Sequence, residues 1–181
     1  MRTKRPVDIV VVGGGTGTHT VLTGLKKYPR EAMRLAAIVS VADSGGSTGR
    51  LRDEFGYLPV GDVRMALAAL AEEGNGGNLL RELFLYRFSK GKGLEGHNFG
   101  NLFLTAMAEI VGSTEKAIEQ ASKVLRVRGK VIPVSGKDAT LQALYEDGST
   151  LLGEALIDSL PHDRDSSLRI TKLSLSPSVQ L

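Results

Sequence analysis

The first residues whose types suggest chemistry form a glycine run, GGGTG, at 13–17. It follows the apolar run VDIVVV and precedes a segment with helical spacing. Glycines let the backbone turn sharply and bring N–H groups close to a phosphate, and the start of the next helix adds further N–H groups. The candidate phosphate-binding residues are Gly13, Gly14, Gly15, Thr16 and Gly17. Without a ligand, the same residues would form only a tight turn between strand and helix.

This glycine run matches neither common nucleotide-binding loop. Gly13 and Gly15 fit the start of the dinucleotide fingerprint G-x-G-x-x-G, but Thr18 stands where its last glycine belongs. A Walker loop would require a following Gly-Lys-Ser/Thr, which this segment lacks. Thr18 therefore disfavours a nucleotide-dependent oxidoreductase, which would rest on the glycine run alone.

A second polar segment, DSGGSTGR at 43–50, follows the predicted strand at 35–41. Asp43 would lie at the carboxyl end of that strand, where it could accept a hydrogen bond from a sugar hydroxyl or bind a hard cation. Arg50 could bind a phosphate through two parallel hydrogen bonds. Taken singly, Asp43 could equally cap a turn and Arg50 could be a solvated surface residue.

A third segment, GHNFGN at 96–101, opens another predicted helix. His97 could be a general base or a hydrogen-bonding ligand residue, or a histidine at a helix end with no chemistry. Asn98 and Asn101 are the candidate polar ligands beside it. In GDVR, Asp62 is expected to be a helix N-cap. Four glycine-containing helix starts in about one hundred residues predict that these loops meet at one pole of a sheet.

The apolar pattern predicts the elements that position these loops. The segments 7–12, 35–41 and 130–134 are continuously apolar, which is typical of neighbouring strands in a parallel sheet covered by helices on both faces. A long polar loop is predicted over 42–64, and Asp147-Gly148 predicts a hairpin. Helices are predicted over 18–27, 63–73, 79–88, 101–111 and 116–125, the hairpin strands over 140–145 and 150–157, and a last strand over 168–175.

Composition excludes several classes of protein. The 181 residues, 41% hydrophobic and 24% charged, are typical of a globular domain. Because there is no cysteine, disulfides, thiolate catalysis and cysteine-ligated metals are excluded, and three scattered histidines disfavour a histidine metal site. The net charge of +3 is mild and only 5% of residues are aromatic, which disfavours nucleic-acid binding. We find neither an apolar run of bilayer length nor a signal-peptide pattern, so a cytoplasmic protein without a membrane partner is expected.

Taken in chain order, the sequence motifs of this chain resemble those of the YvcK family of gluconeogenesis factors, which are relatives of the CofD 2-phospho-L-lactate transferases. They extend from Ile9 to Ile157 and comprise GGGTG with TGLK, IVSVADSGGSTGRLRDEFGYLPVGDVR, LFLYRF, GLEGHNFGNLFLTAM and VRGKVIPVS. Several motifs in one order make this resemblance specific. It implies an α/β fold, a Rossmann-like three-layer sandwich with a mostly parallel sheet.

The resemblance also implies a function. YvcK-like proteins are cytoplasmic regulators that bind UDP sugars such as UDP-N-acetylglucosamine and are linked to cell shape and carbon metabolism. The alternative is a CofD-like enzyme that transfers a phospholactyl group to a deazaflavin with a divalent cation such as Mg²⁺, so whether this chain is an enzyme stays open. The expected partners are a nucleotide sugar and a second copy of the chain.

Carried over residue by residue, the resemblance assigns the glycine run to the nucleotide-sugar loop. Asp43 matches the first acid of the family's Asp-Asp pair, whereas Ser44 replaces the second, which weakens the cation and transferase interpretations. Thr18, His19 and Thr20 stand where the family has more apolar residues. The implied ligand-binding residues are Gly13, Gly14, Gly15, Thr16, Gly17, Asp43, Arg50, His97, Asn98 and Asn101, with no metal ligands.

The second half of the family pattern, with its further binding loops, is not found in this sequence. A doubly wound fold normally has two halves with the ligand between them. We therefore expect residues 1–181 to be a single domain truncated at the C-terminus. By itself it is expected to bind a UDP sugar weakly or not at all.

Overall fold

The computed structural model describes residues 5–74, 77–160, 165 and 167–178. Their elements run from a first strand through a block of helices to a final strand. In chain order they are β1 (Val7–Gly13), α1 (Gly15–Leu25), β2 (Met33–Val39), α2 (Gly46–Phe55), α3 (Gly61–Leu70), α4 (Gly77–Leu85), α5 (Phe99–Val111), α6 (Thr114–Val124), β3 (Lys130–Pro133), β4 (Thr140–Tyr145), β5 (Thr150–Leu152), α7 (Glu154–Asp158) and β6 (Ile170–Ser176).

The first sheet is parallel, with strand order β1-β2-β3. Val10 pairs with Ala36, which pairs in turn with Lys130. Helix α1 connects β1 to β2, and the described residues between β2 and β3 form the helices α2 to α6. The predicted α/β class and its three neighbouring parallel strands are therefore confirmed.

The core lies between this sheet and the helices. Ile9 and Val11 of β1 pack in one cluster with side chains of β2 and with Val131 of β3, and α1, α3 and α6 close it from the other side. Helix α3 runs through the middle, and its Leu67 and Leu70 are completely buried. Burial of each of these leucines stabilises the folded chain by about 1.5–3 kcal/mol, which fixes the position of α3 next to the loops.

The opposite face of the sheet has no helical layer among the described residues. Val10 is 56% exposed and Val12 71% exposed, and Ile132 on β3 is also exposed. Because side chains alternate along a strand, these residues point away from the packed face. The expectation that helices cover both faces is therefore not met within the described part of the chain, although the strands carry apolar residues on both sides.

A second sheet is antiparallel, with order β5-β4-β6. The predicted hairpin turn is confirmed, since Asp147 accepts a hydrogen bond from Ser149 N at 2.9 Å between β4 and β5. The predicted second hairpin strand over 150–157 is wrong in its latter half. Strand β5 ends at Leu152, and α7 begins directly after Gly153.

The predicted loop over 42–64 is also wrong, because α2 forms within it. The buried residues of α2 are Ser47, Thr48, Gly49 and Leu51, so its inner face is mostly small and polar. Hydrophobic periodicity detects apolar faces and therefore misses such a helix. Helix α3 begins at Gly61 and ends at Leu70, three residues short of the predicted end.

The other predicted helices are confirmed within about three residues at each end. Among the described residues, none of the helices combines the length and the apolar character needed to cross a lipid bilayer.

Candidate ligand-binding site

A cavity of about 570 Å³ opens where β1 and β2 end. Its walls combine the backbone of the first glycine loop with four carboxylates, and we call it the acidic pocket. It is lined by Gly14, Gly15, Ser40, Asp43, Gly45, Asp62, Glu154, Ala155 and Asp158. The predicted meeting of the first two loops at the carboxyl edge of the sheet is therefore confirmed.

Asp62 holds the glycine loop. Its Oδ1 accepts a hydrogen bond from Gly15 N at 2.8 Å. A Cβ added to Gly14 would lie 2.1 Å from Asp62 Oδ2, so only glycine allows this close approach. The N-cap of α3 is Val60, with no side-chain capping bond, and the expectation that Asp62 caps the helix is therefore wrong. The carboxylate instead satisfies a loop N–H group that a phosphate would otherwise bind.

Asp43 lies between the first turn of α2 and the start of α3. Its Oδ1 accepts a hydrogen bond from Gly45 N at 2.8 Å. A Cβ on Gly61 would lie 2.4 Å from Asp43 Oδ2 and 2.5 Å from the Thr48 hydroxyl oxygen. The glycine at the start of α3 thus lets both side chains pack directly against that helix.

The carboxylates of the acidic pocket lie close enough for each negative charge to disfavour ionisation of its neighbours. Burial raises the pKa of Asp62, as does the negative charge of Asp43, while the Gly15 N–H bond and Arg64 oppose the rise. Burial also raises the pKa of Glu154, and Asp43, Asp62 and Asp158 add to the increase. A pocket with this charge suits hydrogen-bond donors such as hydroxyls better than a bare anion.

Ser44 replaces the second acid of the family pair and makes a structural contact. Its hydroxyl oxygen accepts a hydrogen bond from Ala155 N at 3.1 Å, at the start of α7. Within the described ranges, no three His, Cys, Asp or Glu side chains are arranged to hold a metal ion.

A second, smaller cavity of about 270 Å³ adjoins the acidic pocket and shares Asp43, Gly45 and Asp62 with it. We call it the α2 cavity, because the first turn of α2 forms one wall. Its remaining lining residues are Gly46, Ser47, Thr48, Gly61, Arg64, Met65, Arg87 and Asn101.

Arg64 is the main cationic residue of the α2 cavity. It is buried, and its Nε donates to Asn101 Oδ1 at 2.8 Å. Burial and the neighbouring positive charge of Arg87 lower the pKa of Arg64 to about 10, while Asp43 and Asp62 oppose the decrease. Arg64 is therefore still protonated at neutral pH, and its charge is costly to keep buried without a partner.

The third loop packs against α2 through a buried polar network. Asn98 Oδ1 caps α5 by accepting from Gly100 N at 2.8 Å and Asn101 N at 3.3 Å. The Ser47 hydroxyl oxygen accepts from Asn98 N at 3.1 Å and lies 3.2 Å from His97 Nδ1. Burial lowers the pKa of His97, with Arg50 adding to the decrease, which favours the neutral form of the ring. His97 and Asn98 line neither cavity.

The structure thus brings only part of the predicted set to the cavities. Gly14, Gly15 and Asp43 line the acidic pocket, and Asn101 lines the α2 cavity. Arg50 is exposed and donates to Glu95 O at 3.1 Å. Gly13, Thr16, Gly17, Arg50, His97 and Asn98 are not among the lining residues of either cavity. Ligand binding by all ten residues stays a prediction.

Sequence reasoning missed five charged lining residues, which are Asp62, Arg64, Arg87, Glu154 and Asp158. Arg64 and Asp62 lie in the GDVR string, where the charged pair directly after a helix-opening glycine was a usable signal. Glu154 and Asp158 reach the acidic pocket from α7. No local pattern marks these two, because α7 was predicted to be a strand and lies more than one hundred residues along the chain from the glycine loop.

Comparison with known proteins places the chain in a family. The family model described as 2-phospho-L-lactate transferase CofD matches residues 9–180. A protein of Nostoc sp. (strain PCC 7120) is 55% identical over 156 residues, which is 86% of this chain and 33% of the relative. The Bacillus subtilis (strain 168) protein named gluconeogenesis factor is 44% identical over 169 residues, covering 93% of this chain and 50% of the relative.

The fold is also found in a solved structure. A crystal structure of a Bacillus halodurans protein superposes with a TM-score of 0.83 at 44% identity, covering 94% of this chain and 51% of that chain. The chain therefore spans between a third and a half of the length of these relatives. On these matches the chain belongs to the CofD family, and its relatives there include the gluconeogenesis factors.

Proposed function

We propose that this chain contributes to a nucleotide-sugar site, with UDP-N-acetylglucosamine as the ligand, in a regulatory protein linked to cell shape and carbon metabolism. The relative named gluconeogenesis factor supports a role in carbon metabolism. The proposal places the protein in the cytoplasm and includes self-association. Because the chain spans no more than half of these relatives, the activity of the whole protein is part of the proposal.

The observation that carries this proposal is the shared wall between an acidic pocket and a cationic cavity. Carboxylates accept strong hydrogen bonds from hydroxyl groups, and a sugar presents several hydroxyls at once. The acidic pocket, at about 570 Å³, has the size of a small-molecule site. A nucleotide sugar joins a polyhydroxylated ring to phosphates, so it matches the change of charge across Asp43 and Asp62.

The first test is thermal unfolding of the 181-residue chain with increasing UDP-N-acetylglucosamine, and with GDP or NAD in parallel. For a Kd of about 1 mM, ligand at ten times that concentration adds about 1.4 kcal/mol of stability. In a chain of this size that raises Tm by about 3–6 °C. We expect this response to the UDP sugar. A larger response to NAD or GDP than to the UDP sugar would contradict the proposal.

A matched pair of variants locates the sugar. Asp158 lines the acidic pocket, whereas Asp138 is exposed and lines neither cavity. Asp158→Asn should reduce the Tm response to UDP-N-acetylglucosamine, because it removes a charged acceptor for sugar hydroxyls. Asp138→Asn makes the same charge change and should leave the response intact. Equal responses in the two variants would remove the acidic pocket from the site.

The description of the matching family favours a second candidate, a phospholactyl transferase. Ser44 weakens this candidate, since it supplies a hydroxyl that contacts α7 where the family pattern has a carboxylate. Transfer of a phospholactyl group to a deazaflavin acceptor in the presence of Mg²⁺, followed by chromatography, decides between the two. Product formation would replace the regulatory proposal with an enzymatic one.

A further inference from the structure

The first turn of α2 presents unused hydrogen-bond donors to the α2 cavity. Its N-cap is Gly45, which supplies no side-chain capping bond. The N–H groups of Gly46, Ser47 and Thr48 donate no hydrogen bond to any other residue that the structure describes. Helix N-termini carry a partial positive charge and favour anions at such groups.

Arg64 points to a ligand independently of the helix. Its side chain is only 8% exposed and lines the α2 cavity. The Nε group donates to Asn101, but Nη1 and Nη2 form neither a hydrogen bond nor an ion pair within the described part of the chain. Both terminal nitrogens are therefore free to pair with an oxyanion in the cavity.

A second guanidinium lines the same cavity. Arg87 lies opposite Asn98 in a β-bridge, and its Nη1 donates to Gly96 O at 2.7 Å. The positive charge of Arg87 acts unfavourably on Arg64, and neither forms an ion pair with a described carboxylate. Asp43 and Asp62 form the wall shared with the acidic pocket, so the cationic end of the cavity is the side of the two arginines.

The glycine loop is a poorer place for a phosphate. Its Gly15 N–H group is already bonded to Asp62, which a phosphate would have to displace. Glu154 and Asp158 line the acidic pocket but not the α2 cavity, and they would repel an anion bound at the glycine loop.

We propose that the α2 cavity, rather than the loop at 13–17, binds the phosphate groups of the ligand, through the first-turn N–H groups of α2 together with Arg64, Arg87 and Asn101. The identity of the natural ligand rests on the function proposed above, whereas the phosphate subsite itself does not. A diphosphate bound here would leave the attached sugar to reach across Asp43 and Asp62 into the acidic pocket.

The test uses inorganic pyrophosphate as the probe, added to the ¹⁵N-labelled 181-residue chain. We expect the largest amide shift changes at Gly46, Ser47 and Thr48. Largest changes at 14–17, with α2 unaffected, would overturn the proposal. The same titration with UDP-N-acetylglucosamine separates the two proposals. If only pyrophosphate shifts the α2 amides, the subsite stands and the proposed nucleotide sugar fails.

Charge-removing variants provide the second measurement. Arg87→Gln, at an exposed position, should fold normally and weaken pyrophosphate binding about tenfold or more, because it removes a charged hydrogen-bond donor. Arg64→Gln should weaken it further. Arg30→Gln is the control, because Arg30 is exposed, pairs with Glu72 and lines neither cavity. If Arg87→Gln binds pyrophosphate as well as Arg30→Gln does, the subsite is wrong, whether or not UDP-N-acetylglucosamine binds the wild-type chain. If Arg64→Gln does not fold, the comparison of Arg87→Gln with Arg30→Gln still tests the phosphate subsite.

Discussion

Substituting Gly14 by alanine tests the contact between the glycine loop and Asp62. Gly14 has extended backbone angles, φ −148° and ψ 179°, which alanine adopts without strain. The cost therefore comes from the new Cβ, which would lie 2.1 Å from Asp62 Oδ2 and 3.3 Å from Ser40 Cβ. To relieve the first contact, Asp62 must move, and the 2.8 Å bond from Gly15 N is lost.

A hydrogen bond to a charged acceptor contributes about 1.5–3 kcal/mol, so Gly14→Ala should destabilise the chain by about 2 kcal/mol. That lowers the urea midpoint by about 1 M for an m-value near 2 kcal/mol/M. Gly17→Ala is the matched control. A Cβ there has no atom within 4 Å and lies in α1, where alanine should stabilise the helix by about 0.5 kcal/mol.

A double-mutant cycle isolates the cause. In an Asp62→Ala background the clash and the bond are both gone, so Gly14→Ala should then cost less than about 0.5 kcal/mol, giving a coupling energy of about 1.5–2 kcal/mol. Urea unfolding followed by circular dichroism measures all four chains. The reasoning is refuted if Gly14→Ala costs the same in both backgrounds, or if Gly17→Ala is equally destabilising.

Two further substitutions test the electrostatics and the buried cap. The pKa of Asp62 is raised in the folded state. The wild-type chain therefore loses stability as the pH rises from about 4, the ordinary pKa of aspartate, through the raised pKa. The stability of Asp62→Asn relative to wild type should accordingly increase between pH 4 and 7. Asp8→Asn is the control, because the hydrogen bond and ion pair with Arg34 lower the pKa of Asp8, and its stability relative to wild type should change less and in the opposite direction. If the stability difference between Asp62→Asn and wild type does not change with pH, the raised pKa of Asp62 is contradicted. Asn98→Ala should lower the free energy of unfolding by about 2 kcal/mol, and Ser113→Ala, at the less buried cap of α6, by about 0.5–1 kcal/mol. Equal losses at the two caps in urea titrations would show that the bond from Asn98 to Leu85 O adds nothing.

Much of the fold could be predicted from the sequence because its signals are local. The continuous apolar segments at 7–12, 35–41 and 130–134 predicted three parallel strands, and Asp147-Gly148 predicted the hairpin turn. Helix α2 could not be predicted in the same way. Its inner face is formed by Ser47, Thr48 and Gly49, which become buried because α5 packs against α2 and the first residue of α3, Gly61, lies beside Thr48.

The sequence by itself determined which segments bury apolar faces and where glycine-containing loops begin helices, since these properties depend on residues close together in the chain. Only the tertiary structure decided what those loops contact. Asp62 reaches Gly15 across 47 positions and Ser44 reaches Ala155 across 111, and no local pattern encodes such separations. The sequence places Arg64 at the start of a helix, and only the packing of α5 makes it a buried cation that pairs with Asn101. Hydrophobic periodicity in the sequence indicates which face of a helix or strand is buried. The hydrogen-bond partner of a polar side chain depends on how elements distant in the sequence pack together.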